Sequence, residues 1–305
     1  MMLYRNLSSY LREEYGKRLK KICIDGGFTC PNRDGKCSVG GCIFCGERGA
    51  GEHIDPTLDI RETVSRALAG SGSDEGFIAY FQNFSGTYAS VPTLKERYDA
   101  AIIDGRIKVL AIGTRPDCIT EEIAALIASY KDRCDVWVEL GLQTASDRTA
   151  ALINRGYSRE VFDVAVKILE KYEIPTVVHL MIGLPGEGDA ELCETADYLS
   201  RFRLFGLKIH SVYVMDGTRL GKMYKSGDYT PITEDDYVRR AAYLISRTNP
   251  ETVIHRITGD PPGNDLLAPL WSRDKHRVIE RINTTLLKSG EKQGSRYAEG
   301  GNFQN

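Results

Sequence analysis

The sequence predicts an α/β fold: a partial (βα)6 TIM-like barrel followed by a C-terminal helical extension. Three observations carry this expectation. From residue 21 to about 215, short β-branched runs alternate with amphipathic segments, the rhythm of parallel βα units rather than hairpins. Six such units end well short of the roughly 250 residues that a closed eight-unit barrel takes. Each chemically distinctive run also falls just after a strand, where parallel barrels gather their functional groups.

Residues 1–20 read as a basic helical segment, 21–250 as the barrel and 251–305 as the extension. Strands are expected at 21–25 (KICID), 76–82 (GFIAYFQ), 108–114 (KVLAIGT), 135–142 (DVWVELGL), 176–183 (TVVHLMIG) and 207–214 (LKIHSVYV). Helices are expected between them at about 59–69, 92–104, 120–131, 158–172 and 190–203, several opened by Thr, Ser or Asp as N-caps. A sixth, at about 233–249, begins with Thr233, Glu234, Asp235 and Asp236, acidic residues suited to a helix N-terminus. Beyond it, TVIHRITG reads as one more short strand and PPGNDLLAPLW as a loop or turn of helix. SRDKHRVIERINTTLLKSG then reads as a basic amphipathic helix with a Gly stop. The polar, Gly-rich end, EKQGSRYAEGGNFQN, is expected to fray.

At 305 residues the chain can bury a substantial core, and its net charge of −2 gives no global field for nucleic acid or membrane. Any RNA contact must come from a local basic zone. Two exist: Lys17, Arg18, Lys20 and Lys21 near the start, and Arg273, Lys275, His276, Arg277, Arg281 and Lys288 near the end. Basic helices are equally often just solvated faces. No run approaches the roughly twenty apolar residues of a membrane span, and the first residues lack the apolar core of a signal peptide, so a cytoplasmic protein is expected.

Of the eight cysteines, three stand out in the loop after the first strand: Cys30 and the pair Cys42-Ile43-Phe44-Cys45. Three thiolates can hold one corner of a [4Fe-4S] cube and leave the fourth iron for another ligand. Cys37 keeps alternatives open. Cys37-x4-Cys42-x2-Cys45 is itself a cluster spacing, and all four thiolates together would suit a structural zinc site in a noncatalytic binding module.

The run Cys30-Pro31-Asn32-Arg33-Asp34-Gly35 through Gly41-Cys42-Ile43-Phe44-Cys45 resembles the radical S-adenosylmethionine (SAM) superfamily, in the bacterial branch related to the radical domain of the Elongator catalytic subunit. The resemblance spans about residues 15–290. It implies Cys30, Cys42 and Cys45 as cluster ligands, with SAM chelated to the open iron and cleaved to methionine and a 5′-deoxyadenosyl radical. It implies that Gln82, Asn83 or Ser85 replaces the usual glutamate that holds the methionine amino group. Glu139-Leu140-Gly141-Leu142-Gln143-Thr144 resembles the branch's Glu-x-Gly-x-Gln signature and assigns Glu139 and Gln143 to SAM. Arg155, in Asn154-Arg155-Gly156-Tyr157, is a fork for the SAM carboxylate, and Tyr157 stands where the branch usually has His. Phe44 belongs to the same cofactor set, as do Met181 and Gly183 on the strand that leads into Gly183-Leu184-Pro185-Gly186-Glu187, the turn beside the adenine.

His179, His210 and Tyr213 are the candidates for catalysis, although isolated histidines on apolar strands are more often satisfied core residues. The implied substrate is the C5 side chain of the tRNA wobble uridine, for example a carboxymethylaminomethyl group installed by other enzymes. The implied partners are tRNA and an electron donor such as flavodoxin or ferredoxin, with no membrane. A small molecule or peptide substrate is the alternative within the same chemistry.

Overall fold

A computed structural model describes residues 3–49, 54–55, 57–261 and 265–298. The chain opens with α1 (Leu7–Tyr15), capped by Asn6, whose side chain accepts from the Ser9 amide at 2.9 Å. Then follow β1 (Leu19–Ile24), α2 (Ile60–Ala69), β2 (Gly76–Phe81), α3 (Val91–Ala101), β3 (Ile107–Thr114), α4 (Glu121–Ala128), β4 (Asp135–Gln143), α5 (Asp147–Leu152), α6 (Arg159–Lys171), β5 (Thr176–Ile182), α7 (Asp189–Leu199), β6 (Gly206–Ser211), β7 (Val214–Met215), α8 (Arg219–Ser226), α9 (Glu234–Arg247), β8 (Val253–Arg256), β9 (Leu266–Ala268) and α10 (Lys275–Ser289).

Seven strands, in the order β1-β2-β3-β4-β5-β6-β8, pair in parallel as a curled half-barrel, so the expected partial barrel holds. The boundary expected at residue 250 does not. Val253–Arg256 pairs with β6 and continues the same sheet, which makes a seventh unit of what reads as an appended strand. The expected single strand at 207–214 is also divided. Past Ser211 its neighbour β5 has ended, and Val214–Met215 turns to pair antiparallel with β9. The helix expected at 120–131 tightens into a 3₁₀ turn after Ala128.

One apolar core fills the space between the sheet and its outer helices, with Phe81, Tyr98, Ile127, Phe162, Val178 and Tyr237 among its buried members. A second lies inside the curl, where Leu19, Ile78, Val109, Trp137 and Val177 meet Leu11 of α1. Helix α1 therefore plugs the N-terminal end of the lumen. Just before it, Asn6 bridges to Ile254, and the Ile254 amide donates to the Arg5 carbonyl at 2.7 Å, which covers the outer edge of β8. A third cluster joins the cysteine loop to the β7–β9 pair through Ile43, Ile153, Leu184, Val214 and Leu220.

The expected fraying of the C-terminus is corrected as far as residue 298. Gln293 donates to the carbonyls of Asn249 and Thr252, both at 2.7 Å, and accepts from the Arg5 amide at 2.8 Å. These bonds tie both termini to β8. The remainder of the expected frayed tail, 299–305, lies outside the described residues.

Candidate active site

The cysteine loop runs from the end of β1 across the C-terminal mouth of the half-barrel. Its thiols divide into three and one. Cys42 and Cys45 share a hydrogen bond, which holds Cys42 well above the ordinary thiol range and Cys45 below it, while Cys30 acts on Cys45 and is acted on by Cys42. Cys37 is exposed, and its sulfur donates instead to Asp117 Oδ2 at 3.4 Å. Among the described residues no three His, Cys, Asp or Glu side chains close around a single ion. The donor set fits an iron-sulfur cluster: three neighbouring thiols, with Asn32 Nδ2 3.6 Å from Cys42 Sγ as an outer hydrogen bond to a ligand sulfur.

This loop is braced by the Asn154-Arg155-Gly156-Tyr157 run, of which the sequence assigned Arg155 to cofactor contact. Asn154, at φ 54°, donates through Nδ2 to the carbonyls of Gly41 at 2.8 Å and Val39 at 3.2 Å, while its own carbonyl accepts from Asn32 at 2.6 Å. Arg155 is fully buried. Its guanidinium donates to the carbonyls of Leu142 and Thr144, each at 2.7 Å, to that of Tyr157 at 3.0 Å and to Asp147 at 3.1 Å. It faces into the protein and ties down the end of β4, instead of presenting a free fork to the mouth. Gly156 is left-handed at φ +81°, and a Cβ there would lie 2.7 Å from Asn32 Oδ1, so the turn needs glycine. Tyr157 donates to the Gly141 carbonyl and lies under the guanidiniums of Arg115 and Arg155, 4.8 and 4.5 Å from its ring centre. Arg115 itself grips Asp117 with two bonds of 2.8 and 2.6 Å.

The other expected residues are spread around this mouth. Asn83 is buried and donates to Asp25 at 2.7 Å, while its Oδ1 has no hydrogen-bond partner. Ser85 is committed to Thr114 at 2.8 Å, and Gln82 follows the last residue of β2, partly exposed. Gln143 takes a left-handed φ of 62° at a register shift between β4 and β5, a conformation costly for a residue with a side chain. Gly183, at φ +99°, accepts from Tyr229 at 2.6 Å, and Phe44 and Met181 pack against the third apolar cluster. Tyr213 lies beyond the end of β6 against Gly259.

Glu139, expected at SAM, is held by protein side chains. Deep in the lumen, its Oε1 accepts from Trp137 at 3.2 Å, and its Oε2 meets His179 at 2.8 Å and the Lys208 ammonium. The cation paired with it is Lys208. Burial opposes charge on Glu139, yet Lys208 and His179 together hold its carboxyl well below the usual range. Burial draws Lys208 down to about 7 and His179 down to about 4. The His210 ring stacks on His179 with centres 5.2 Å apart.

Sequence assigned no role to Lys208, Asn32 or Tyr157. For Lys208 a signal existed: Lys208 and His210 alternate on one face of an otherwise apolar strand, as a lumen-facing polar row would. Four of the ten residues in the expected basic zones are held in ion pairs. Arg277 and Arg281 pair with Glu234 and Asp235, Lys275 with Asp260, and Lys20 with Glu75.

Comparison with known proteins agrees with this architecture. The radical SAM superfamily matches at residues 32–199, and the radical SAM C-terminal domain at 205–288. The chain is 36% identical to the uncharacterized protein YtqA of Bacillus subtilis over 95% of its own length and 92% of that protein's. It is 30% identical to the tRNA uridine(34) acetyltransferase of Methanocaldococcus jannaschii over 62% of this chain and 31% of that one. Among solved structures, Elp3 of Methanocaldococcus infernus superposes with a TM-score of 0.67 at 19% identity, covering 90% of this chain and 64% of that chain. No helix among the described residues is long and apolar enough to cross a membrane.

Proposed function

The chain belongs to the radical SAM superfamily, and from that premise we propose that this enzyme remodels the C5 side chain of the tRNA wobble uridine, for example a carboxymethylaminomethyl group. Its cofactors are a [4Fe-4S] cluster and SAM. When bound, they supply one-electron cleavage of SAM and, through it, the means to take a hydrogen atom from an unactivated C–H bond.

In this reading Cys30, Cys42 and Cys45 hold the cluster, with Asn32 and Asn154 fixing the loop that carries them. Asn83 offers its unpartnered carbonyl oxygen to the methionine amino group, and Gln143 stands at the mouth for the ribose. Phe44, Met181 and Gly183 form the apolar side against which the adenine lies. The loop and the β7–β9 pair close over the mouth and keep bulk water from the reacting atoms.

The observation that carries the reading is the three-and-one division of thiols at the mouth of the half-barrel, with Cys37 turned to Asp117. The choice of substrate is supported by the M. jannaschii relative, whose name states that it acts on tRNA uridine 34. The test is anaerobic: reconstitute with iron and sulfide, add SAM and dithionite, and quantify 5′-deoxyadenosine with and without tRNA carrying unfinished wobble uridines. The expected result is formation that rises with tRNA. Formation indifferent to tRNA would keep the chemistry and move the substrate to a small molecule or peptide.

A further inference from the structure

Below the mouth, the lumen carries an excess of positive charge, with Lys208 buried, Arg256 half-buried and Lys21 exposed on the edge strand β1. Lys21 and Lys208 both place their ammoniums against the ring of Tyr80, at 4.6 and 4.5 Å from its centre. Arg256 adjoins them, opposite Lys208 in the β6–β8 register. The charges acting on Lys208, His210, His255 and Cys23 include these three cations, His179 and the carboxylate of Glu139. Neither Lys21 nor Arg256 has an ion-pair partner among the described residues. Around them, His210 Nε2 and both ring nitrogens of His255 are buried without hydrogen-bond partners. The His255 ring is accommodated over Gly206, where a Cβ would come within 2.6 Å of it.

Such a site is costly to leave as it is. Like charges beside a buried ion pair repel, and each unanswered buried polar atom carries a desolvation penalty. A ligand that brings negative charge and hydrogen-bond acceptors relieves both. The floor decides what kind of ligand. Lys208 keeps 5% and Glu139 1% of their side-chain surface exposed, and α1 seals the chamber beneath with Leu11 against Trp137 and Val177. A phosphodiester lies mid-chain in a polymer and cannot be threaded into a chamber closed at one end. A carboxylate at the tip of a side chain can.

We propose that the lumen binds the carboxylate of the substrate's side chain, held by Lys21 and Arg256 above the Lys208–Glu139 floor. This deepens the proposed function and rests on it for the identity of the side chain. Met181 and His210 pair near the C-terminal ends of β5 and β6, so a side chain entering from the mouth would pass the cysteine loop before its terminal carboxylate reached the cations.

The site can be tested apart from the tRNA. In calorimetric titrations of the reconstituted, SAM-bound protein, N-methylglycine serves as the probe and its carboxamide as the uncharged control. The expected result is carboxylate binding at least about tenfold tighter than amide binding, and loss of that preference in Arg256→Gln and in Lys21→Met. Equal binding of the two probes, no binding of the carboxylate, or an unchanged preference in both variants would overturn the site. Wild-type deoxyadenosine formation is then compared for tRNA bearing carboxymethylaminomethyluridine and tRNA bearing aminomethyluridine. A roughly tenfold preference for the former supports the proposal, and equal stimulation by both overturns it. If neither tRNA stimulates, the wobble-uridine reading fails, and the probe titration alone decides whether the lumen is a carboxylate site.

Discussion

Arg155 and Lys208 are both buried cations within reach of the same mouth, and their surroundings differ in kind. Around Arg155, fixed carbonyls and one carboxylate answer the guanidinium bond by bond. Around Lys208, one carboxylate is shared with a histidine and a tryptophan, two further cations crowd in, and neighbouring ring nitrogens have no partner. The first pattern is scaffold, because nothing is left over for a ligand to answer. The second has a surplus, and surplus polarity around a buried ion pair is where a substrate can contribute most.

The comparison is most severely tested by removing each cation. Arg155→Met should cost about 3–5 kcal/mol in chemical denaturation, because it leaves the Leu142, Thr144 and Tyr157 carbonyls buried without a donor. A loss below about 1 kcal/mol would show that these groups find other partners and that Arg155 is no brace. Lys208→Met should cost about 3 kcal/mol by stranding Glu139, and Lys208→Met combined with Glu139→Leu should recover most of that loss, since a buried pair can be replaced by packed apolar groups at little net cost. No recovery in the double variant would mean that the pair is held in place by more than mutual neutralisation.

The pH dependence of stability sharpens the contrast further. His179 titrates near 6.5 when unfolded and is held at about 4 when folded, chiefly by burial, so the unfolded chain binds the extra proton between these values. Stability should fall by about 2 kcal/mol as pH drops from about 6.5 to about 4, and His179→Asn should flatten this slope. Glu187 has the opposite sign. Burial raises its carboxyl to about 7, so the folded state keeps a proton that the unfolded state has lost above about 4.3. Its contribution is fully present below that lower value and lost as pH rises through about 7, so Glu187→Gln should gain about 1 kcal/mol at pH 8, read by thermal unfolding.

Much of this was legible in the sequence, for identifiable reasons. The six strands announce themselves as β-branched runs, and the cysteine loop by its spacing. Helices α5 and α8 are too short to show a periodic face, at six and eight residues. The division of roles around the mouth was not legible at all. An arginine in Asn154-Arg155-Gly156-Tyr157 looks the same in one dimension whether it faces a cofactor or a carbonyl. The Glu139–Lys208 contact joins residues 69 positions apart, and it exists only once β4, β5 and β6 are in register. The seventh strand was seen as a strand, but local pattern could not say which sheet it joins.

The account turns on which thiols hold the cluster, and Cys30 and Cys37 provide a matched pair for deciding it. Cys30→Ala and Cys37→Ala proteins would be reconstituted anaerobically in parallel, their iron, sulfide and visible absorbance measured, and 5′-deoxyadenosine quantified after addition of SAM and dithionite. Cys37→Ala is expected to keep the cluster and form deoxyadenosine at close to the wild-type rate, while Cys30→Ala loses both. Loss of cluster in Cys37→Ala with retention in Cys30→Ala would contradict it.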